Sequence, residues 1–272
     1  MIKKKEAVKA MLCNLYPIDI KFKDEEITLV KYWGTDASFS IPDFITKIGE
    51  GAFYRRYNLE SVEIPESVTT IGDEAFSNCE NLKSINIPKS VKVIPTSCFS
   101  NCIKLSEVSI SDDLSMIGDY TFFRCESLVS IQLPESLTLL GNNCFSYCKN
   151  LKSIVIPNEV ALIGEESFDN CKQLNELILP SSLTYIPRGL CYDCFHLESI
   201  NIPSGVSEIQ SYAFYNCHSL KKIEIPDSVE AIDDYAFGCD SSIREVSIPA
   251  DTRLGEYVFY DTTHVIRRTE SC

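Results

Sequence analysis

Histidine is nearly absent: His196, His218 and His264 are the whole stock in 272 residues. A general base needs a partner and an orienting group within hydrogen-bond reach, and the sequence supplies neither in register with any of the three. It also lacks a Gly-rich loop to cradle phosphate and a serine-nucleophile elbow. Enzymatic chemistry is therefore not expected, and no catalytic or cofactor-binding residue is nominated. Positive charge is short as well, 25 Lys+Arg against 39 Asp+Glu for a formal net of -14. Such a surface repels phosphate backbones and anionic headgroups, which argues against nucleic acid and membrane surfaces as partners. No stretch approaches ~18 consecutive apolar residues, so no membrane insertion is expected. The opening MIKKKEAVKAMLCNLYPIDI places lysines before an apolar patch, but Glu6 and Lys9 interrupt it and Cys13 follows Leu12 rather than a small residue. It does not read as a secretory signal. The expectation is an amphipathic helix with Val8, Leu12 and Leu15 on one face, and a cytoplasmic location, with the cell surface or leaderless secretion as the alternative.

What the sequence has instead is repetition. Prolines recur every 23 residues at Pro42, Pro65, Pro88, Pro134, Pro157, Pro180, Pro203, Pro226 and Pro249, with one vacancy at Ser111. Phenylalanine keeps its own column at Phe53, Phe76, Phe99, Phe122, Phe145, Phe168, Phe214 and Phe237, Cys191 standing in once. Cysteine keeps a third at Cys79, Cys102, Cys125, Cys148, Cys171, Cys194 and Cys217. Three columns in one register define a repeat solenoid, which grows by stacking rather than by thickening its core.

Residues 59–249 reduce to Leu-x-x-Ile-x-Ile-Pro-x-x-Val-x-x-Ile-Gly-x-x-Ala-Phe-x-x-Cys-x-x. In LKSIVIP, Leu151, Ile154 and Ile156 point inward while Ser153 and Val155 point out, by the period-two rule of strands. Pro157 ends the strand because it has no N–H for the next ladder bond. Val160 and Ile163 form a second inward pair, Gly164 permits a tight bend, and Phe168 plugs the interior from a third side. Since no coil buries its own edges, the ends need caps. Residues 1–40 read as an N-terminal helix and strand cap, 41–249 as the 23-residue repeats, and 250–272 as a C-terminal cap in which LGEYVFY echoes the bend and plug with one residue displaced and TTHVIRR closes as a strand.

Thirteen cysteines invite a disulfide framework. Identical positions on stacked coils, however, have nearly parallel Cβ vectors about 4.8 Å apart, whereas a disulfide wants its Cβ atoms about 3.8 Å apart and turned toward each other. A column of buried, reduced thiols acting as small hydrophobes fits better and favours a reducing compartment. The Cys191-x-x-Cys194 pair is explained by the columns, one as ladder residue and one as plug substitute. A structural zinc site wants four ligands at suitable spacing, and none is assembled, so no metal is expected.

The order strand, Pro, Val-x-x-Ile-Gly, Ala-Phe, Cys resembles the BspA-like leucine-rich repeats, also called the Treponema pallidum type. SVEIPESVTTIGDEAFSNCENLKSINIP and YWGTDASFSIPDFITKIGEGAF carry the resemblance, which covers about residues 27 to 260. It implies a right-handed leucine-rich-repeat β-solenoid with a parallel, strand-lined concave sheet. The family's characterised members are mostly surface adhesins binding host or microbial proteins, and it carries no catalytic residues to transfer.

The period also exposes the surface column by column. Outward positions on the first strand are mostly small and polar, but Val155 and Ile178 fall on adjacent coils with Val129 nearby, a pattern that can mark a binding patch. Five residues after each proline, the middle members Val93, Met116, Leu139, Leu162 and Tyr185 are apolar. If they face out they form a stripe about 20 Å long at the strand spacing, suited to a partner or to self-association. The expected function is a non-catalytic protein-binding scaffold, the alternative a cell-surface adhesin.

Overall fold

Each coil of the computed structural model, which describes residues 2–240 and 242–268, has three sides. The first is a three-residue strand such as Ser61–Glu63 or Ser84–Asn86, paired in parallel with its equivalent one repeat away. The proline two residues later ends it. The second side is a two-residue strand such as Met116–Ile117, paired in parallel with Leu139–Leu140. Along both sides the inward residues are buried, including Leu151, Ile154, Ile156, Val160 and Ile163.

The third side is a run of turns bonded as regularly as the strands. Phe53 N–H donates to Ala75 O at 2.7 Å, and Gly51 and Arg55 donate likewise to Asp73 and Ser77 on the next coil. The same three bonds recur at Glu74, Phe76 and Asn78, and again at Glu166, Phe168 and Asn170. They require two left-handed residues in each coil, and few of these are glycine: φ is 55° at Glu74, 61° at Asn78, 58° at Arg124 and 61° at Tyr147. Asparagine tolerates this region through its short polar side chain. Arginine and tyrosine are held there because the ladder over-determines the turn.

The glycine column does a different job from the one its sequence suggests. Gly164 has no positive φ. At its equivalent Gly118, an added Cβ would sit 2.8 Å from Thr96 N on the neighbouring coil. The glycines allow one coil to approach the next rather than permitting a bend.

Two prolines in that same column, Pro95 and Pro187, divide the second sheet. Gly72, Gly118, Gly141 and Gly164 N–H donate to Ile48, Ile94, Ile117 and Leu140 O at 2.8–2.9 Å. Proline has no such donor. The sheet accordingly splits into three four-stranded pieces, with breaks between Thr70–Ile71 and Val93–Ile94 and between Leu162–Ile163 and Tyr185–Ile186. The first sheet lapses elsewhere, after Glu107–Ser109, Glu176–Ile178 and Lys222–Glu224. Near the proline vacancy at Ser111 the strand loosens, and Val108 and Ile110 are half-buried where Ile85 and Ile87 are buried.

At the N-terminal end, α1 (Ile2–Leu15) leads into β1 (Ile18–Lys23), which pairs antiparallel with β2 (Glu26–Tyr32). β2 then pairs in parallel with Lys47–Ile48, so that β1 forms that edge of the second sheet. The helix seats differently from its sequence reading. Leu12 packs against the core with Cys13 and Tyr16, whereas Val8 and Leu15 face solvent, Leu15 at 67% exposure. Among the helix residues whose side chains are described, those packed against the core, Leu12 and Cys13, lie in the last turn. At the other end, Tyr257 takes the left-handed position one residue early, Phe259 stacks on Phe237 at 5.3 Å, and His264–Arg267 pairs in parallel with Glu245–Ile248.

Candidate functional site

The repeat first builds its interior. The plug rings stack on one another from Phe53 to Phe168, with centroids 4.8–5.6 Å apart and planes within 13°. Tyr32 caps the column at 5.1 Å from Phe53. The stack stops at Cys191 and resumes with Phe214 and Phe237 at 5.2 Å. At that coil the neighbouring small-residue column carries Leu190, fully buried, so the missing ring is replaced from the adjacent position.

The cysteine column has a polar reason that its spacing did not reveal. Each ladder thiol donates to the plug carbonyl of the preceding coil: Cys79 to Phe53 O, Cys148 to Phe122 O and Cys194 to Phe168 O, at 3.1–3.2 Å. Cys102, Cys125, Cys171 and Cys217 repeat the bond, the last to the Cys191 carbonyl. Burial pushes the Cys79 thiol up to about 12 and holds Cys102, Cys125, Cys171, Cys191 and Cys217 well above the usual thiol range. A buried neutral thiol is neither a nucleophile nor a ready metal ligand. Cys191 and Cys194 are both fully buried, and among the described residues no group of three or more His, Cys, Asp or Glu is placed to hold a metal ion.

The histidines do not converge. The Lys172 carbonyl accepts a hydrogen bond from His196 Nδ1 at 2.6 Å, His218 lies on the Phe195 ring at 5.7 Å, and His264 stands 3.7 Å from Glu245 on the last strand. Among the described residues, no helix is long and apolar enough to cross a membrane.

On the outer surface of the first side, Val155 and Ile178 are register partners on paired strands. They are 56% and 45% exposed, and Val129, on the coil before Val155 and in the column of Lys152, is 43% exposed. On the second side, Val93, Met116, Leu139 and Leu162 are consecutive partners within one four-stranded sheet. Val93 and Leu162 are exposed, Met116 and Leu139 half-buried. Tyr185, half-buried, heads the next sheet beyond the break at Pro187. The stripe is therefore a four-residue unit with a separate fifth member.

A further set of surface residues escaped the sequence reading. On the third side Tyr192 stacks on Tyr215, and Tyr212 stacks on Tyr235, at 4.9 and 5.2 Å. Each pair is one repeat apart, but turn residues follow no alternation that would place them on the surface in advance.

The family described as BspA type leucine rich repeat region (6 copies) matches residues 35–152 and 138–266. Among solved structures, a leucine-rich repeat protein from Bacteroides ovatus ATCC 8483 is 27% identical, with a TM-score of 0.65 over 90% of this chain and 67% of that one. The T. pallidum leucine rich repeat protein is 26% identical, with a TM-score of 0.55 over 75% of this chain and 88% of that one. No curated protein matches the chain by sequence.

Proposed function

Because the chain belongs to the BspA-type leucine-rich repeat family, a family of repeat scaffolds, we propose that it is a non-catalytic scaffold that binds a protein partner through the first side, at the patch centred on Val155 and Ile178. One observation carries this reading. Two large apolar side chains sit opposite each other on paired strands of an otherwise polar sheet and are about half exposed. Adjacent apolar groups on a strand face lose water when a partner covers them, at a reduced backbone-ordering cost because the ladder already holds the strand.

The test is photocrosslinking from position 155, compared with position 63 on the same sheet. A protein adduct formed at 155 and not at 63, and lost when Ile178→Ser is added, is the expected result. Equal adducts at both positions would refute the reading. An adduct formed by the purified chain alone would identify the partner as a second copy. In intact cells, removal of the adduct by added protease would identify a surface adhesin, and its survival a cytoplasmic scaffold.

A further inference from the structure

Two tyrosine stacks on the third side end at the same place. Tyr192 lies on Tyr215 with planes 17° apart, and Tyr212 lies on Tyr235 with planes 2° apart. Tyr235 in turn lies on Tyr257 at 5.3 Å. Toward the N-terminal end neither stack continues. Asp169 stands one repeat before Tyr192, and Gly189 one repeat before Tyr212. Each stack thus presents a terminal ring to a position where its column holds no aromatic group.

The space left there is a pocket of about 470 Å³. Its far wall is Tyr147, braced edge-on by Phe123 at 5.6 Å. Tyr147 and Tyr192 lie two coils apart, about 10 Å along the solenoid, with Asp169 and Asn170 on the coil between them, and the pocket that all four border has volume enough for one saturated ring packed against aromatic carbon. Gly189, at φ 60°, lets the Glu166 side chain lie close against its backbone, where a Cβ would sit 2.8 Å from Glu166 Cγ.

The polar groups at this pocket are mixed. The Asp169 carboxylate accepts hydrogen bonds from Ser146 Oγ at 3.0 Å and Asn170 Nδ2 at 2.8 Å. Arg188 Nη1 donates to Glu166 at 2.9 Å, and its guanidinium lies 6.0 Å from the Tyr212 centroid. Acceptors, an amide and a guanidinium thus border aromatic faces whose quadrupole favours the electropositive C–H bonds of a saturated ring. A ring rimmed with hydroxyls, each both donor and acceptor, matches that border. A nucleotide would bring phosphate toward Glu166 and Asp169, which outnumber Arg188 in the lining. A proline ring has no hydroxyl rim to meet the polar groups.

We propose that this pocket binds a neutral pyranose of a glycan, stacked on Tyr192 and Tyr147 and held at its rim by Asp169, Asn170 and Arg188. The site is separate from the first-side patch, and its test does not depend on that reading. Saturation-transfer NMR on the full chain, with cellobiose, maltose, lactose, N,N′-diacetylchitobiose and methyl mannoside as probes, should show transfer to the ring protons of at least one. Tyr192→Ala and Asp169→Asn should each lower that affinity about ten-fold. Tyr257→Ala, at the far end of the aromatic row, should leave it unchanged. Asp169→Asn keeps the side-chain shape and decides the matter if Tyr192→Ala fails to fold. Transfer to none of the probes, or transfer that Asp169→Asn leaves unchanged, overturns the proposal. So does stronger, competing transfer to adenosine monophosphate or decaproline.

Discussion

Asp240 occupies the position one repeat after Cys217, where the thiol column would place another cysteine. It is fully buried, and among the described residues neither carboxylate oxygen has a hydrogen-bond partner. Desolvation pushes its carboxyl up to about 9, opposed only weakly by the nearby Cys217 backbone. The folded state therefore keeps a proton that the unfolded chain releases above its ordinary value near 3.8. For a group raised on folding, stability is fully present below the unfolded value and declines as pH rises toward the folded one. Asp240 thus weakens the last coils progressively from about pH 4 to pH 9. Asp240→Cys would restore a neutral donor in register with the Phe214 carbonyl. Its melting temperature should exceed that of the parent by more at pH 8 than at pH 5. An equal gain at both pH values would show that Asp240 does not hold this proton.

Among the elements, the coil bearing Leu190 and Cys191 shows how the repeat tolerates change. A large residue in the small column and a small one in the plug column exchange volume at nearly constant packing. Cys191→Phe alone should destabilise by roughly 1–3 kcal/mol through overpacking, and Leu190→Ala alone by roughly 2–5 kcal/mol through a cavity. The double variant, which restores the common wording, should cost less than the sum of the two. Additive losses in denaturant titration would mean that the two sites do not share space. Such exchanges also mark what could be read in advance. The proline, phenylalanine and cysteine columns were legible because each residue type acts through its own chemistry at one fixed place. The left-handed turns at Arg124 and Tyr147 were not, because the inter-coil ladder imposes them against local preference. Gly164 was read for its freedom when its small size was the point, since only the packed neighbour reveals the close approach. The apolar patch at Val155 and Ile178 was legible from alternation alone. The tyrosine-walled pocket was not, because turn residues have no simple inward and outward rule.

For the whole molecule, stability is a sum over neighbouring coils, and the ends have one neighbour each. Native-state hydrogen exchange should find the slowest amides at Phe99, Phe122 and Phe145, with faster exchange at Phe53 and Phe237 as terminal coils open first. Uniform protection from Phe53 to Phe237 would mean that the array opens as one unit. How such opening travels depends on the lapses in the two sheets, and these never coincide. Where the second sheet breaks at Pro95 and Pro187, the first-side strands Ser61–Glu63 and Ser84–Asn86, and Ser153–Val155 and Glu176–Ile178, remain paired. Where the first sheet lapses after Glu107–Ser109, the second-side strands Met116–Ile117 and Leu139–Leu140 remain paired. The third-side bonds cross all of these junctions. The joints are offset like those of brickwork, so a crack has no straight course through the middle and must start from an end, one coil at a time.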